Sequence, residues 1–228
     1  MKMSRKAVID VLLTVLLPLL MAYNLIGEAA HEWLGLGMFL LLGLHHILNV
    51  RWSGVILRGR YGPYRILQTA AVLLLFLSML GSMMSGIVQS KHIFTMVLTG
   101  RAISAMRTTH MLCAYWGFLL MGFHLGLHWP VIFNRWRGAA AKPLPPACRA
   151  AVWLMSAYGV YAFARRDLTE YLFLKTQYVF FDFSEPLPWF LLDYAAILAL
   201  LTVIGHIAAK TAIRLSVRTQ SQERKALA

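Results

Sequence analysis

Eight histidines occur in 228 residues, and six of them fall in two apolar stretches. One stretch carries His31, His45 and His46; the other carries His110, His124 and His128. Imidazole can ligate a metal, carry a proton or bridge two groups by hydrogen bonds. An ionisable side chain inside an apolar membrane segment points to function, although any one histidine is equally well explained by an interhelical hydrogen bond. The spacing separates these readings. His31 and His45 are 14 residues apart, and so are His110 and His124. A helix turns 100° and rises ~1.5 Å per residue, so residues at this interval share a face to within about 40° and lie ~21 Å apart. Each helix thus presents two imidazoles to one side at two heights. Facing one another in parallel, the helices set His31 level with His110 and His45 level with His124. Those pairs are the ligand sets of two bis-histidine haems, whose iron has no open position and suits electron transfer rather than oxygen binding.

His46 lies about 100° round the helix from His45, so the two cannot serve one iron together. His128 is one turn beyond His124; it is an alternative ligand, or a contact for a propionate or a quinone. The expected cofactor is haem b, two copies if both pairs form and one if only one does. Gly35, Gly37 and Gly43 in the first stretch, and Gly117 and Gly122 in the second, either make room for a flat macrocycle or allow close helix packing. Glu32, Thr108 and Thr109 are candidates for tuning the outer pair. Arg101 and Arg107 are either partners for propionates or solvated charges. Tyr115 and Trp116 read as packing groups against the macrocycle or lipid, and His92 and His206 as structural.

The elements that must position these residues are set by composition. Hydrophobic residues make up 59% of the chain and charged residues 14%, against roughly a quarter charged in soluble domains. Several apolar runs reach or approach the ~20 residues needed to cross a bilayer as helix, and lipid admits only helices or closed barrels. The runs are continuous rather than alternating, so the fold class is all-α: a polytopic membrane helix bundle, with about six transmembrane helices around a haem-binding four-helix core. The chain reads as a single domain over 1–228, with spans at about 8–27, 31–50, 66–87, 109–133, 150–164 and 188–209.

The formal net charge is +13, yet the positions of the charges argue against a nucleic-acid partner. Lys2, Arg5, Lys6, Arg51, Arg58, Arg60, Arg65, Arg135, Arg137, Lys142, Arg149, Lys210, Arg214, Arg218, Arg224 and Lys225 all fall on one side of a six-span topology. Only Lys91, Arg101, Arg107, Arg165, Arg166 and Lys175 fall on the other. By the positive-inside rule the first side is cytoplasmic, with both termini there. The fifth span is short, but removing it would send the C-terminal positives outward. In this topology the second and fourth spans both run inward, which makes the two histidine helices parallel. The outer connections 88–108 and 165–187 read as interfacial helix or aromatic belt. Cys113 and Cys148 form no CxxC pair and indicate no disulfide or zinc framework. The first apolar stretch is too long for a cleavable signal peptide and reads as the first membrane helix.

The segments HEWLGLGMFLLLGLHHILNVRW and THMLCAYWGFLLMGFHLGLHW resemble the bacterial flavinylation-associated cytochromes, an integral-membrane family. GSMMSGIVQSKHIF and YGVYAFARRDLTEYLFLK with the FFDF and FLLDY segments are similar to it too, so the resemblance covers nearly the whole chain. It implies a haem-b subunit of the bacterial cytoplasmic membrane, passing electrons between the quinone pool or another respiratory donor and extracytoplasmic flavoproteins or other redox partners. His31, His45, His110 and His124 match the family's helix histidines. The spacing within each helix is also similar to that in di-haem cytochrome b of respiratory complexes. No covalent-flavin acceptor motif of the Asp-x-x-Ser/Thr-Gly-Ala-Ser/Thr kind occurs, so a flavin would belong to a partner. The expected role is an electron-transfer subunit of an oxidoreductase, with quinone reactivity open.

Two other functions compete. His124-x-x-x-His128 and His45-His46 resemble the histidine boxes of a membrane di-iron oxygenase, but such a site needs many clustered ligands, and His31 and His110 lie ~20 Å away. A proton-coupled transporter would use Asp10, Asp193 and the histidines as a relay, yet no inverted repeat or broken-helix pair is evident.

Overall fold

A computed structural model describes residues 4–56, 58, 61–94, 100–137 and 145–226; within these, the side chains of 131, 133–137 and 218–226 are not described. Among the charges that set the expected topology, Lys2, Arg60 and Lys142 lie outside the described residues, as do the side chains of Arg135, Arg137, Arg218, Arg224 and Lys225.

The described residues form helices and no strands. Each of the six apolar stretches is the body of a helix. They are α1 (Arg5–Met21), α3 (Glu28–Leu48), α5 (Pro63–Gln89), α6 (Arg101–Arg137), α7 (Pro146–Arg165) and α9 (Leu187–Ala226). Short helices α2 (Tyr23–Ile26), α4 (Val50–Ser53) and α8 (Leu168–Leu172) fill connections. Local chemistry sets several ends. The Ser4 hydroxyl caps α1 by accepting from the Ala7 amide at 3.3 Å, which satisfies one of the free N–H groups of the first turn. Pro63 and Pro146 start α5 and α7, where the missing proline N–H costs nothing. Gly27 holds a φ of +87° between α2 and α3, a conformation that a side chain would strain; it makes the bend that lays α3 back along α1.

Three helices are long and apolar enough to cross a membrane: Pro63–Gln89, Arg101–Pro130 and Leu187–Val217. Their outer surfaces, and those of the other long helices, carry exposed Leu40, Ile47, Leu77, Leu154 and Val160. A soluble monomer seldom exposes so much contiguous apolar surface.

α5, α6, α7 and α9 pack as a close bundle. The tightest crossing is between α6 and α9, where a Cβ at Gly126 would fall on the Thr202 carbonyl oxygen and one at Gly205 on that of Phe123. α7 meets α9 in the same way, at Gly159 against Ala196. The interior is aromatic: Phe118, Phe190 and Tyr194 are almost fully buried, and Phe190 stacks on Tyr194 with ring centroids 4.5 Å apart.

α3 is held differently. It lies along α1, touches α5 lightly, and scarcely approaches α6; Met38 is its one buried residue.

The outer connections depart from expectation. Residues 101–108, expected in an outer loop, are the first two turns of α6, so that helix starts eight residues before the expected span. In 165–187, α8 buries Leu168, Tyr171 and Leu172 against the bundle and exposes Thr169. Beyond it, Phe173, Tyr178, Phe180, Phe183 and Trp189 are exposed, as an aromatic belt would be.

Candidate functional site

His31 and His110 meet. Their ring centroids are 6.0 Å apart, with the planes inclined at 70°. A metal bound by two imidazoles, with metal–nitrogen bonds of about 2 Å and each ring centre about 1 Å further out, separates the centroids by about 6 Å. Each ring is set up differently. The His110 Nδ1–H donates to the Ser82 carbonyl at 2.8 Å, with the Ser85 hydroxyl at 3.3 Å from the same nitrogen. A hydrogen bond on one ring nitrogen fixes the tautomer and leaves the other lone pair free for a ligand. His31 sits edge-on to Tyr23, reaches the Leu20 carbonyl, and leaves Nδ1 buried without a partner. A buried polar atom without a partner needs an explanation; a group bound between the rings is one.

A cavity of about 240 Å³ spreads from these rings, with Gly35 and Met38 of α3, Met79 and Met83 of α5, and Ala114 of α6 in its walls. It lies chiefly between α1, α3 and α5, with His110 and Ala114 of α6 at its edge. A Cβ built at Gly35, Gly37 or Gly43 meets nothing within 4 Å, whereas one at Gly122 would come within 2.7 Å of Leu201 Cβ. Of the α3 glycines, Gly35 lines the cavity, and Gly122 serves packing against α9. Gly117 sits against α5, beside Met79 and Ser78.

A clamp lies at the His31 end of the cavity. The Glu32 carboxylate accepts from the Ser90 hydroxyl at 2.8 Å and from the amides of Lys91 at 2.9 Å and His92 at 3.0 Å. Lys91 also bridges to Glu28 at 2.6 Å, and that hydrogen bond raises its ammonium above the ordinary lysine value. Glu32 therefore holds the 90–92 turn over the site and also lies within electrostatic reach of His31. The Thr108 hydroxyl is spent on the Ser104 carbonyl. Arg101 and Arg107 are exposed, which matches the solvated reading. Tyr115 and Trp116, expected against macrocycle or lipid, pack on α8: Tyr115 stacks on Tyr171 at 4.7 Å and Trp116 Nε1 donates to the Leu172 carbonyl.

At the other height the histidines gather without meeting as a ring pair. His45 lies within electrostatic reach of both His124 and His128, and those two rings are 4.6 Å apart. His45 Nδ1 is 2.9 Å from Asp10 Oδ1 on α1. His124 Nδ1 is buried with no partner, while His128 Nε2 has the Gln68 amide at 3.2 Å. His46 turns elsewhere, toward Phe76 and the Leu42 carbonyl. Of His45, His124 and His128, it is His124 that leaves a buried ring nitrogen without a partner. His206, read as structural, also leaves a buried Nδ1 without a partner, at the α6–α9 crossing. His92 is exposed.

Two features were missed from sequence. Asp10 appeared only as a relay residue, and nothing in the chain pairs it with His45. The second is an ionic cluster on α7 and α9. Arg166 Nε donates to Asp193 at 2.8 Å, its two terminal nitrogens reach Glu185 at 2.6 Å each, and the Tyr158 hydroxyl donates to Asp193 at 2.5 Å. An aspartate inside an apolar span was the available signal. A polar cavity of about 580 Å³ opens beside the cluster, whose Arg166, Glu185 and Asp193 are already paired with one another.

Among the described residues, no group of three or more His, Cys, Asp or Glu converges on one point. No protein family, curated protein or solved structure matches the chain.

Proposed function

We propose that this protein is a membrane b-type cytochrome that carries electrons between a respiratory donor, such as the quinone pool, and an extracytoplasmic redox partner of the flavoprotein kind. The observation that carries the reading is the 6.0 Å approach of His31 and His110, presented by two helices that otherwise stand apart across a cavity. His31 and His110 would hold one haem b, and His45 with His124 a second; His46 and His128 are the less favoured ligands. Haem b with two axial imidazoles supplies reversible one-electron carriage at an iron closed to oxygen.

The chain's own residues do the positioning. The Ser82 carbonyl keeps the His110 proton on Nδ1, Asp10 orients His45, and the Glu32 clamp shields the outer ring pair from water. Gly35 and the methionines of α5 give a smooth apolar wall, which suits a flat, greasy ligand. The proposed setting is six spans with both termini in the cytoplasm of a bacterium, which puts the His31 end outside. The sequence resemblance to flavinylation-associated cytochromes points the same way.

The other readings draw less support. A di-iron centre needs several carboxylates and histidines around one point, and the described residues offer no such group. A proton relay through Asp193 would need a carboxylate free to exchange protons, and this one is held by Arg166 and Tyr158.

The test is a reduced-minus-oxidised spectrum with a pyridine haemochrome count on the purified protein, expressed with haem supplied. Two haem b per chain is the expected result. Absence of haem overturns the reading.

A further inference from the structure

We infer that Asp10 is a positioning residue that holds the His45 level at a lower reduction potential than the His31–His110 level, and so biases electron flow toward the His31 end. The inference rests on the cytochrome reading and adds a direction to it.

At each level one imidazole is held through Nδ1, and the partners differ. At one, the His110 Nδ1–H donates to a neutral acceptor, the Ser82 carbonyl, at 2.8 Å. At the other, His45 Nδ1 faces a carboxylate oxygen of Asp10 at 2.9 Å. Both bonds fix the tautomer and ring orientation, but only the second adds an anion. A hydrogen bond to an ionised acceptor is the stronger kind, and a carboxylate behind a ligating imidazole raises its basicity. A more basic ligand favours the more positive state of the metal, and second-shell hydrogen bonding of this sort is a recognised lever on potential.

The surrounding groups preserve the asymmetry. Lys6, one turn before Asp10, spends its ammonium on the Asn49 side chain at 3.3 Å rather than on the carboxylate. Asn49 in turn bonds the His45 carbonyl at 2.9 Å, so a second contact from the same face of α1 fixes this end of α3. Thr14 takes the backbone oxygen of Asp10, not its side chain. Oδ1 of the carboxylate therefore serves His45, on a side chain that is 33% exposed.

One electron leaving the His45 level and one entering the His31–His110 level balances the transfer, with no proton exchanged between them. Flow in that direction is downhill. It calls for a reductant, such as a quinol, on the Asp10 side and an oxidant on the other.

The experiment is a potentiometric titration of the full chain in detergent, followed at the haem absorption bands, for wild type, Asp10→Asn, Asp10→Glu and His45→Ala. His45→Ala identifies the component belonging to that level, and this should be the lower one in wild type. Asp10→Asn should shift that component upward and leave the other in place, while Asp10→Glu stays near wild type. Loss of one haem in Asp10→Asn, with retention in Asp10→Glu, also supports the role. Both components unmoved, both moved equally, the His45 component being the higher, or the haem lost from both Asp10 variants would each overturn the inference while leaving the cytochrome reading intact. A wild type without haem would overturn both.

Discussion

Arg166 shows how much a single side chain carries in this protein. It is largely buried, at 15% side-chain exposure, and it neutralises Asp193, which is 1% exposed, together with Glu185. Removing one partner of a buried ion pair strands the others and costs about 3–5 kcal/mol. Arg166→Met should therefore lower the thermal unfolding midpoint in detergent sharply. Lys175→Met, which breaks the exposed pair with Glu170, should cost under about 1 kcal/mol; equal effects would deny the network its structural role. At this scale the sequence exposed residue types but not partners. That His31 and His110 belong together follows from matched spacing. That Asp10 stands behind His45 depends on how α1 is rotated against α3, and no periodicity in either helix encodes it. Glu32 shows the same limit: it neighbours His31 in sequence, but that its carboxylate also bonds the 90–92 turn is set by the fold.

Helices were legible because hydropathy is a property of segments. All six expected stretches are helical, and the principal departures lie at their ends, where polar residues let a helix continue past its apolar body. Residues 101–108 are such a case: RAISAMRT lacks apolar continuity but contains no helix breaker, so α6 simply begins earlier. The glycines divide by surroundings that spacing cannot reveal. Those at 126, 159 and 205 are crossing points, while Gly35 faces open space. Overpacking a tight crossing costs about 1–3 kcal/mol or more. Gly205→Val should accordingly destabilise the α6–α9 pair, seen as a lower unfolding midpoint. Gly35→Phe should leave haem-free stability near wild type and lower haem content, because its side chain would enter the cavity wall. A Gly35→Phe protein with full haem content would contradict the placement of the macrocycle there.

At the scale of the whole molecule, three helices are long and apolar enough to span a membrane, and three further long helices fall in the expected chain order. α3 falls short on apolar character because it carries Glu28, His31, Glu32, His45 and His46, the residues that make it interesting. The proposed topology predicts that reporters fused to either terminus are both shielded behind the cytoplasmic membrane in intact cells; ends on opposite faces would mean an odd number of crossings and would contradict the six-span setting. The central claim is that His31 and His110 share one iron. Haem counting in His31→Ala, His110→Ala and the double variant tests it most directly. Each single variant should lose the same one haem, and the double variant should lose no more than either. Singles that keep both haems, or a double variant that loses two where each single loses one, would contradict it.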